Sequence, residues 1–237
     1  MLTLVKALLP KSLRTWLSAR LALHKSRKGN RSFAQEGEDI LLLRYFSGKT
    51  DGFFVDVGAH HPFRFSNTSL FYRQGWRGIN VEPNPLTVEL FRRHRPKDIN
   101  IQCGVASAPG ELNYFQFDDP ALNTFDEALK NERLATTSYR YIDTVKIPVK
   151  PLKAILDDNL PAGRTIDFLT VDVEGLDLDV LQSNDWQTYR PHYVLAEALG
   201  TALEDIDDNA IYVFMTAQGY RLVAKTYNSL LFEAADV

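Results

Sequence analysis

The chain has 237 residues, of which 45% are hydrophobic and 24% are charged. This length suits one α/β domain with an appendage better than two full domains, and the composition argues against a disordered chain and a membrane bundle. The single cysteine, Cys103, permits no internal disulfide and no Cys-x-x-Cys metal or redox pair. We therefore expect a reducing compartment, the cytoplasm.

Charge is distributed unevenly, although the formal net charge is only −3. Residues 1–31 contain eight basic residues and no acid, whereas the remainder contains nineteen basic and thirty acidic residues. An acidic body lacks the clustered Lys and Arg that phosphate contacts require. We therefore expect no nucleic-acid partner.

The basic segment 1–31 predicts an amphipathic helix that precedes a domain in 32–237. Leu13, Trp16 and Leu21 fall on one helical face, and most of the basic residues fall off it. Two interpretations stay open. The helix packs on the domain or forms a loose terminus, or residues 1–28 make a peripheral contact with the inner face of the membrane.

Helical patterns and short apolar runs alternate from residue 32 onward. Ser32 and Gln35 predict a capping box, with Ile40, Leu43 and Phe46 on the buried face of the helix that follows. The apolar runs predict buried strands at 53–57, 78–81, 99–103, 166–171 and 192–196.

The remaining helix and turn signals fit the same alternation. Ser66 predicts a helix that ends before Gly75, and Asn84 followed by Pro85 predicts another over 86–94. A helix over 211–217 precedes a terminal hairpin of 220–225 and 229–233. The pattern predicts an open, mostly parallel sheet with helices on both faces, whose ligands bind at the carboxyl ends of the strands.

A long segment separates the third and fourth predicted strands and indicates an insertion around 108–151. It carries a hairpin signal at Pro109-Gly110 and a strand-like run over 145–149. We expect its aromatic residues to fill the local core or to shape a substrate pocket. These aromatics are Tyr114, Phe115, Phe117, Phe125, Tyr139 and Tyr141.

Small and acidic residues end the first predicted strand. Asp56, Gly58 and Ala59 form a turn that a ligand can approach, and His60 and His61 follow it. A Gly-x-Gly-x-x-Gly loop is missing, which weakens a nicotinamide or flavin assignment. An ordinary tight turn, with two histidines covering the sheet edge, is the alternative.

Acids also end the second and fourth predicted strands. Glu82 is placed to accept both ribose hydroxyls of a nucleoside, or else it complements the helix dipole at Pro85. Asp172 and Glu174 lie at the crest of the sheet, where buried carboxylates are costly unless they are used, although Glu174 also suits a helix cap. Two acids are too few for a metal, so we expect none.

Five motifs in this order resemble the FkbM family of S-adenosylmethionine-dependent methyltransferases. They are SFAQEGED at 32–39, FVDVGA at 54–59, SNT at 66–68, GWRGINVEP at 75–83 and IDFLTVDVEG at 166–175. The resemblance implies a class I methyltransferase fold, an α/β sheet of seven strands whose last strand is antiparallel. It also implies S-adenosylmethionine as cofactor and methylation of a hydroxyl on a sugar, glycan or secondary metabolite.

The resemblance also implies roles for the residues at the strand ends. Asp56, Gly58 and Ala59, with His60 beside them, would contact the methionine part of the cofactor. Glu82 would hold the ribose, and the Gly104-Val105 region would hold the adenine. Asp172 and Glu174 would face the methyl group and the acceptor.

The identity of the proton acceptor stays open. We consider Asp172, Glu174 and His61 in that order, because the acids lie at the sheet crest. His60-His61-Pro62 occupies a stretch where many relatives have other residues, so a histidine base is not carried over from the family.

Two other functions remain as alternatives. One is a binding or scaffold protein that keeps the fold without the chemistry, and the other is a Rossmann dehydrogenase. The sequence leaves the oligomeric state and the acceptor undetermined.

Overall fold

The computed structural model describes residues 10, 13, 20 and 31–235. By internal contacts the chain divides into two units, Met1–Arg31 and Ser32–Val237. Apart from those three positions, the predicted amphipathic helix and its membrane contact lie outside the described residues. Among the residues that are described, no helix has the length and apolar character needed to cross a membrane.

The described elements alternate between helices and strands along most of the chain. The helices are α1 (Glu38–Tyr45), α2 (Ser69–Arg73), α3 (Pro85–His94), α4 (Glu127–Thr136), α5 (Leu152–Asn159), α6 (Asp177–Gln182) and α7 (Ala210–Ala217). The strands are β1 (Phe53–Val57), β2 (Arg77–Glu82), β3 (Ile99–Gln102), β4 (Gly104–Val105), β5 (Gly110–Phe117), β6 (Tyr141–Lys150), β7 (Phe168–Val171), β8 (Tyr193–Glu197), β9 (Tyr220–Lys225) and β10 (Ser229–Ala234).

Seven strands form the main sheet in the order β3-β2-β1-β7-β8-β10-β9. The first five are parallel, and β10 is antiparallel to both β8 and β9. The expected fold class is therefore confirmed. The chain runs outward from β1 to β3 and then resumes on the other side at β7, so the strand order reverses between β1 and β7, where open α/β sheets bind ligands.

Strand β1 shows how the sheet divides the core into two layers. Phe53, Val55 and Val57 belong to the apolar cluster that includes α5, α6 and α7, whereas Phe54 belongs to the cluster that includes α1 and α2. Alternate side chains of a strand point to opposite faces, so helices cover both faces. Each fully buried large apolar side chain contributes about 1.5–3 kcal/mol.

The predicted capping box at Ser32 and Gln35 is wrong. Helix α1 begins at Glu38, six residues later, and Gly37 at its N-terminus is left-handed with φ 90°. Ser32 Oγ instead donates to Asp39 Oδ1 at 2.6 Å. Asp39 Oδ2 also accepts from Phe33 N at 2.8 Å, so the Asp39 carboxylate organises the segment before the helix.

The predicted buried face of this helix is wrong in part. Leu42 and Phe46 are buried, but Ile40 and Leu43 are only half-buried. Leu43 packs at the margin of the apolar cluster that contains Leu42 and Phe46.

Two other helices begin where side chains close in sequence accept hydrogen bonds from their first N–H groups. Asn84 Oδ1 accepts from Leu86 N at 3.0 Å and Pro85 is the first residue of α3, as predicted. Ser66 Oγ accepts from Ser69 N at 3.1 Å, at the first residue of α2. Both signals are local, which is why the sequence was sufficient to find them.

The segment between β3 and β7 forms a second sheet in the order β4-β6-β5. The hairpin predicted at Pro109-Gly110 is wrong, because β4 and β5 are not neighbours. Val149 of β6 pairs with Gly104 on one side and with Gly110 on the other. Strand β6 therefore lies between β4 and β5, the two strands that a hairpin at Pro109-Gly110 would have paired with each other.

Gly58 allows the ends of β1 and β7 to meet. Its φ is +79°, and a Cβ at this position would lie 1.7 Å from the carbonyl oxygen of Asp172. Gly58 N also donates to Val81 O of β2 at 3.0 Å. A side chain here would therefore separate strands that border the switch point.

We predict that Gly58→Ala lowers the free energy of unfolding by about 3 kcal/mol or more, because it adds a backbone clash to the strain of a positive φ. Gly163→Ala is the matched control, since Gly163 has φ +72° and no neighbour within 4 Å of its would-be Cβ. That variant loses only about 1 kcal/mol. If urea unfolding gives the same loss of unfolding free energy for Gly58→Ala and Gly163→Ala, the β1–β7 contact does not constrain the fold.

Candidate active site

The carboxyl ends of β1, β2 and β7 border one cleft at the switch point. The cleft encloses about 630 Å³ of space, a volume that includes the solvent at its opening. Five of the site residues expected from the sequence line it together, namely Gly58, His60, Glu82, Asp172 and Glu174. Asp56, Ala59, His61, Gly104 and Val105 are not among its lining residues.

Glu82 is held rigidly at the end of β2. Its Oε1 accepts from Asn84 N at 2.8 Å, and its Oε2 accepts from His60 N at 2.8 Å. Burial raises the pKa of Glu82 to about 7, with a smaller contribution from the charge of Asp56, although the two N–H groups act in the opposite direction. The carboxylate keeps further lone pairs that can accept hydrogen bonds from a ligand.

Residues with strained backbone conformations line the cleft. His60, Phe65 and Glu174 have φ values of 51°, 53° and 58°, and over the described part of the chain they are the non-glycine residues with positive φ. All three line the cleft. Each costs about 1 kcal/mol or more, and such strain persists where the surrounding structure fixes it, typically at functional sites.

Asp56 does not line the cleft but is hydrogen-bonded to residues next to it. Thr68 Oγ1 donates to Asp56 Oδ2 at 2.5 Å, and Arg95 Nη1 donates to Thr68 Oγ1 at 2.7 Å. Burial raises the pKa of Asp56 to about 6, and the Thr68 hydroxyl and Arg95 partly offset this. The structure thus places Asp56 where it fixes the turn after β1.

The SNT motif fastens this turn to the sheet. Asn67 Nδ2 donates to Thr170 Oγ1 of β7 at 3.0 Å. Fully buried Arg95 donates from Nη2 to Pro62 O at 2.7 Å and to Ser66 Oγ at 2.8 Å. These contacts hold the 58–66 loop over the strand ends.

The two histidines have different surroundings. His61 Nδ1 accepts from Phe63 N at 3.1 Å and from Arg64 N at 3.0 Å, so this ring shapes a turn outside the cleft lining. His60 lines the cleft, and its buried Nε2 has no hydrogen-bond partner in the described structure. Burial lowers the pKa of His60 to about 4, which leaves the ring neutral at physiological pH.

The Gly104-Val105 region lies behind the cleft. Both residues are buried in β4, and a Cβ on Gly104 would lie 2.6 Å from the ring of Phe125. Phe125 itself lines the cleft beside Tyr114, with ring centroids 4.7 Å apart. Gly104 therefore leaves room for the ring that forms this wall.

Other aromatic residues of the 104–150 segment lie elsewhere. Phe115 and Phe117 are buried, whereas Tyr139 and Tyr141 are exposed. Of the six aromatics considered for a substrate pocket, Tyr114 and Phe125 are the ones that line the cleft.

Asp172 follows β7 and is half-buried, with access to the cleft. Burial and the neighbouring charges of Glu174 and Asp177 raise its pKa well above the usual range. Both Asp177 oxygens accept backbone N–H groups, from Val173 at 3.1 Å and from Gly175 at 3.3 Å. Asp177 therefore shapes the turn, and Asp172 is left facing the cleft.

Glu174 is clamped by the 104–150 segment. Arg133 Nη2 of α4 donates to Glu174 Oε2, and Arg133 Nη1 donates to Leu122 O at 2.6 Å. Thr124 Oγ1 donates to the carbonyl oxygen of Glu174 at 2.8 Å. Burial raises the pKa of Glu174, although Arg133 acts in the opposite direction.

Sequence reasoning missed Glu197, the last residue of β8. Its side chain is buried, and burial together with Asp172 and Glu174 raises its pKa to about 11. Glu197 also ends a predicted buried strand with an acid, the same signal that singled out Glu82.

We predict that Arg133→Met lowers the free energy of unfolding by about 2 kcal/mol at pH 8, because it leaves the half-buried carboxylate of Glu174 without its charged partner. Lys153→Met is the control. It removes an exposed pair with Asp157 that solvent screens, so it should leave the urea midpoint nearly unchanged. Similar small effects for both variants would contradict the clamp.

Comparisons with known proteins identify the family of this chain. The family model described as Methyltransferase FkbM domain matches residues 56–222. Methyltransferase sdnD of Sordaria araneosa is 27% identical over 168 residues, which cover 58% of this chain and 63% of that protein. The chain therefore spans less than two thirds of this curated relative.

The crystal structure of Methyltransferase FkbM from Methylobacillus flagellatus is similar in fold. It superposes with a TM-score of 0.50 at 14% identity, covering 85% of this chain and 48% of that one. The family match extends from Asp56 through the strand ends that border the cleft to Leu222 of β9. The chain belongs to the FkbM methyltransferase domain family.

Proposed function

We propose that the protein is an S-adenosylmethionine-dependent O-methyltransferase that acts on a hydroxyl of a sugar, glycan or other small metabolite. The observation that carries this proposal is the Glu82 carboxylate, fixed by His60 N and Asn84 N at the edge of a cleft shared with Asp172. A nucleoside diol supplies the two hydroxyl donors that such a carboxylate accepts.

The residues present fit this cofactor. Carboxylates at the ends of β2 and β7 suit a ligand that carries a sulfonium and an ammonium group, because opposite charges attract strongly where water is limited. Tyr114 and Phe125 offer ring faces on which a base or a sugar can stack. Glu82 would hold the ribose, and the loop from Gly58 to His60 would border the methionine part.

When bound, S-adenosylmethionine supplies a methyl group that its sulfonium already makes electrophilic. The protein must align the acceptor oxygen and receive its proton. The pKa of an aliphatic hydroxyl is about 16, so a carboxylate receives this proton only as the transfer proceeds. Asp172 is the first candidate because it faces the cleft, whereas Arg133 already occupies Glu174 and His61 shapes a turn. Only the ionised form of Asp172 can accept the proton, and the raised pKa of this carboxyl group makes that form a stronger base.

Glu82→Ala tests the ribose contact. We expect it to weaken binding of S-adenosylhomocysteine by about 1.5–3 kcal/mol, the scale of charge-assisted hydrogen bonds. Glu89→Ala, which removes an exposed acid of α3, should bind like the wild type. Unchanged calorimetric affinity in Glu82→Ala would remove the assignment.

The raised pKa of Glu82 gives this contact a pH dependence. Ribose hydroxyls donate best to the ionised carboxylate, so wild-type affinity should fall as the pH decreases from 8 to 6, through the pKa of about 7. Glu82→Ala should show a flatter profile over that range. Parallel profiles would indicate that another group titrates.

Methyl transfer itself is tested with S-adenosylmethionine radiolabelled on the methyl group and a panel of sugars, glycans and hydroxylated metabolites. Asp172→Asn should reduce turnover about 100-fold or more while S-adenosylhomocysteine still binds. If Asp172→Asn, Glu174→Gln and His61→Ala all retain wild-type turnover, the proposed proton acceptors are wrong. Cofactor binding without transfer to any acceptor would favour a binding or scaffold protein.

A further inference from the structure

Three carboxylates from neighbouring strand ends converge beside the cleft, which Asp172 and Glu174 line. Asp172 and Glu174 follow β7, and Glu197 ends β8. One carboxylate oxygen of each residue lies within 4.8 Å of the corresponding oxygens of the other two. The parallel register of Val171 with Ala196 brings Asp172 and Glu197 side by side.

Glu197 has a buried oxygen that nothing in the described structure satisfies. The residue is only 7% exposed, and its Oε2 has no hydrogen-bond partner among the described residues. A buried carboxylate without a partner is costly, so buried charges in proteins are normally paired or coordinate a metal. The unpartnered carboxylate belongs to the cluster with Asp172 and Glu174.

The local charge balance is negative. Arg133 contributes one positive charge, but it is committed to Glu174 Oε2 and to Leu122 O. Asp177 adds a further negative charge, although both of its oxygens accept backbone N–H groups. When ionised, the three converging carboxylates and Arg133 leave two negative charges, which a divalent cation would neutralise.

We propose that Asp172, Glu174 and Glu197 bind a hard divalent cation of the Mg²⁺, Mn²⁺ or Ca²⁺ type. Oxygen-only ligand sets select these ions. Three oxygens that lie within 4.8 Å of one another are at most about 2.8 Å from a common centre, compared with about 2.3–2.6 Å for Ca²⁺–oxygen bonds and about 2.0–2.1 Å for Mg²⁺–oxygen bonds. Each carboxylate therefore needs to move by less than about 1 Å to bind a cation. The second oxygen of Glu174 is available while Arg133 holds the first.

A cation here would also act on the reaction. It would lie beside the cleft that Asp172 lines, where the acceptor hydroxyl is expected, and a hydroxyl coordinated to it would release its proton to solvent at a lower pH. Asp172 would then act as a cation ligand in place of the role of proton acceptor proposed above. This consequence rests on the proposed methyl transfer, whereas the cation site itself does not.

The test is direct binding of Mn²⁺ to the full-length protein after treatment with EDTA. Electron paramagnetic resonance at pH 7.5 should show one Mn²⁺ bound per chain, displaced by excess Mg²⁺ or Ca²⁺. Glu197→Gln and Asp172→Asn should each weaken Mn²⁺ binding at least ten-fold. Glu132→Gln, an exposed acid on α4, is the matched control and should bind like the wild type.

Circular dichroism establishes whether each variant is folded. Because the two substitutions lie at the ends of different strands, one folded variant is enough to test the site if the other fails to fold. Mn²⁺ binding no stronger to the wild type than to a folded Glu197→Gln variant would overturn the site. Mn²⁺ binding without methyl transfer would support the site and count against the proposed function. Undiminished methyl transfer in EDTA, with no Mn²⁺ bound, would reject the site alone.

Discussion

The concentration of carboxylates at the carboxyl edge of the sheet is the constraint on which the rest of the site depends. Glu82, Asp172 and Glu197 each come at the end of a strand that is mostly buried and mostly apolar. Buried carboxylates oppose folding unless hydrogen bonds, cations or protons compensate them. The protein retains them at the point where the strand order reverses, and this is the physical reason to place its chemistry there.

The surrounding structure supports those acids by different means. Two backbone N–H groups hold Glu82, whereas Arg133 and Thr124 hold Glu174 from the 104–150 segment. Positive φ values at His60 and Glu174 show that the chain accepts strain where it borders the cleft. The 104–150 segment therefore forms one wall of the cleft through Tyr114 and Phe125 and also fixes Glu174 beside the main sheet.

Much of this arrangement could be predicted from the sequence, because helix caps and buried strands are specified by residues close to one another in the chain. Asn84 caps α3 and the apolar runs become parallel strands, so the fold and the position of Glu82 follow from residues close in sequence. Arg133 lies 41 residues before Glu174, and only the packing of the 104–150 segment joins them. Ser32 misled the prediction because its hydroxyl donates to the side chain of Asp39, which lies beyond the capping box.

A crystal structure with S-adenosylhomocysteine tests the central claim most directly. Both ribose hydroxyls are expected to lie within hydrogen-bond distance of the Glu82 carboxylate, beside Gly58, and the sulfur is expected to face the side of the cleft formed by Asp172. A nucleoside bound elsewhere, or bound in this cleft with its ribose directed away from Glu82, would contradict the account.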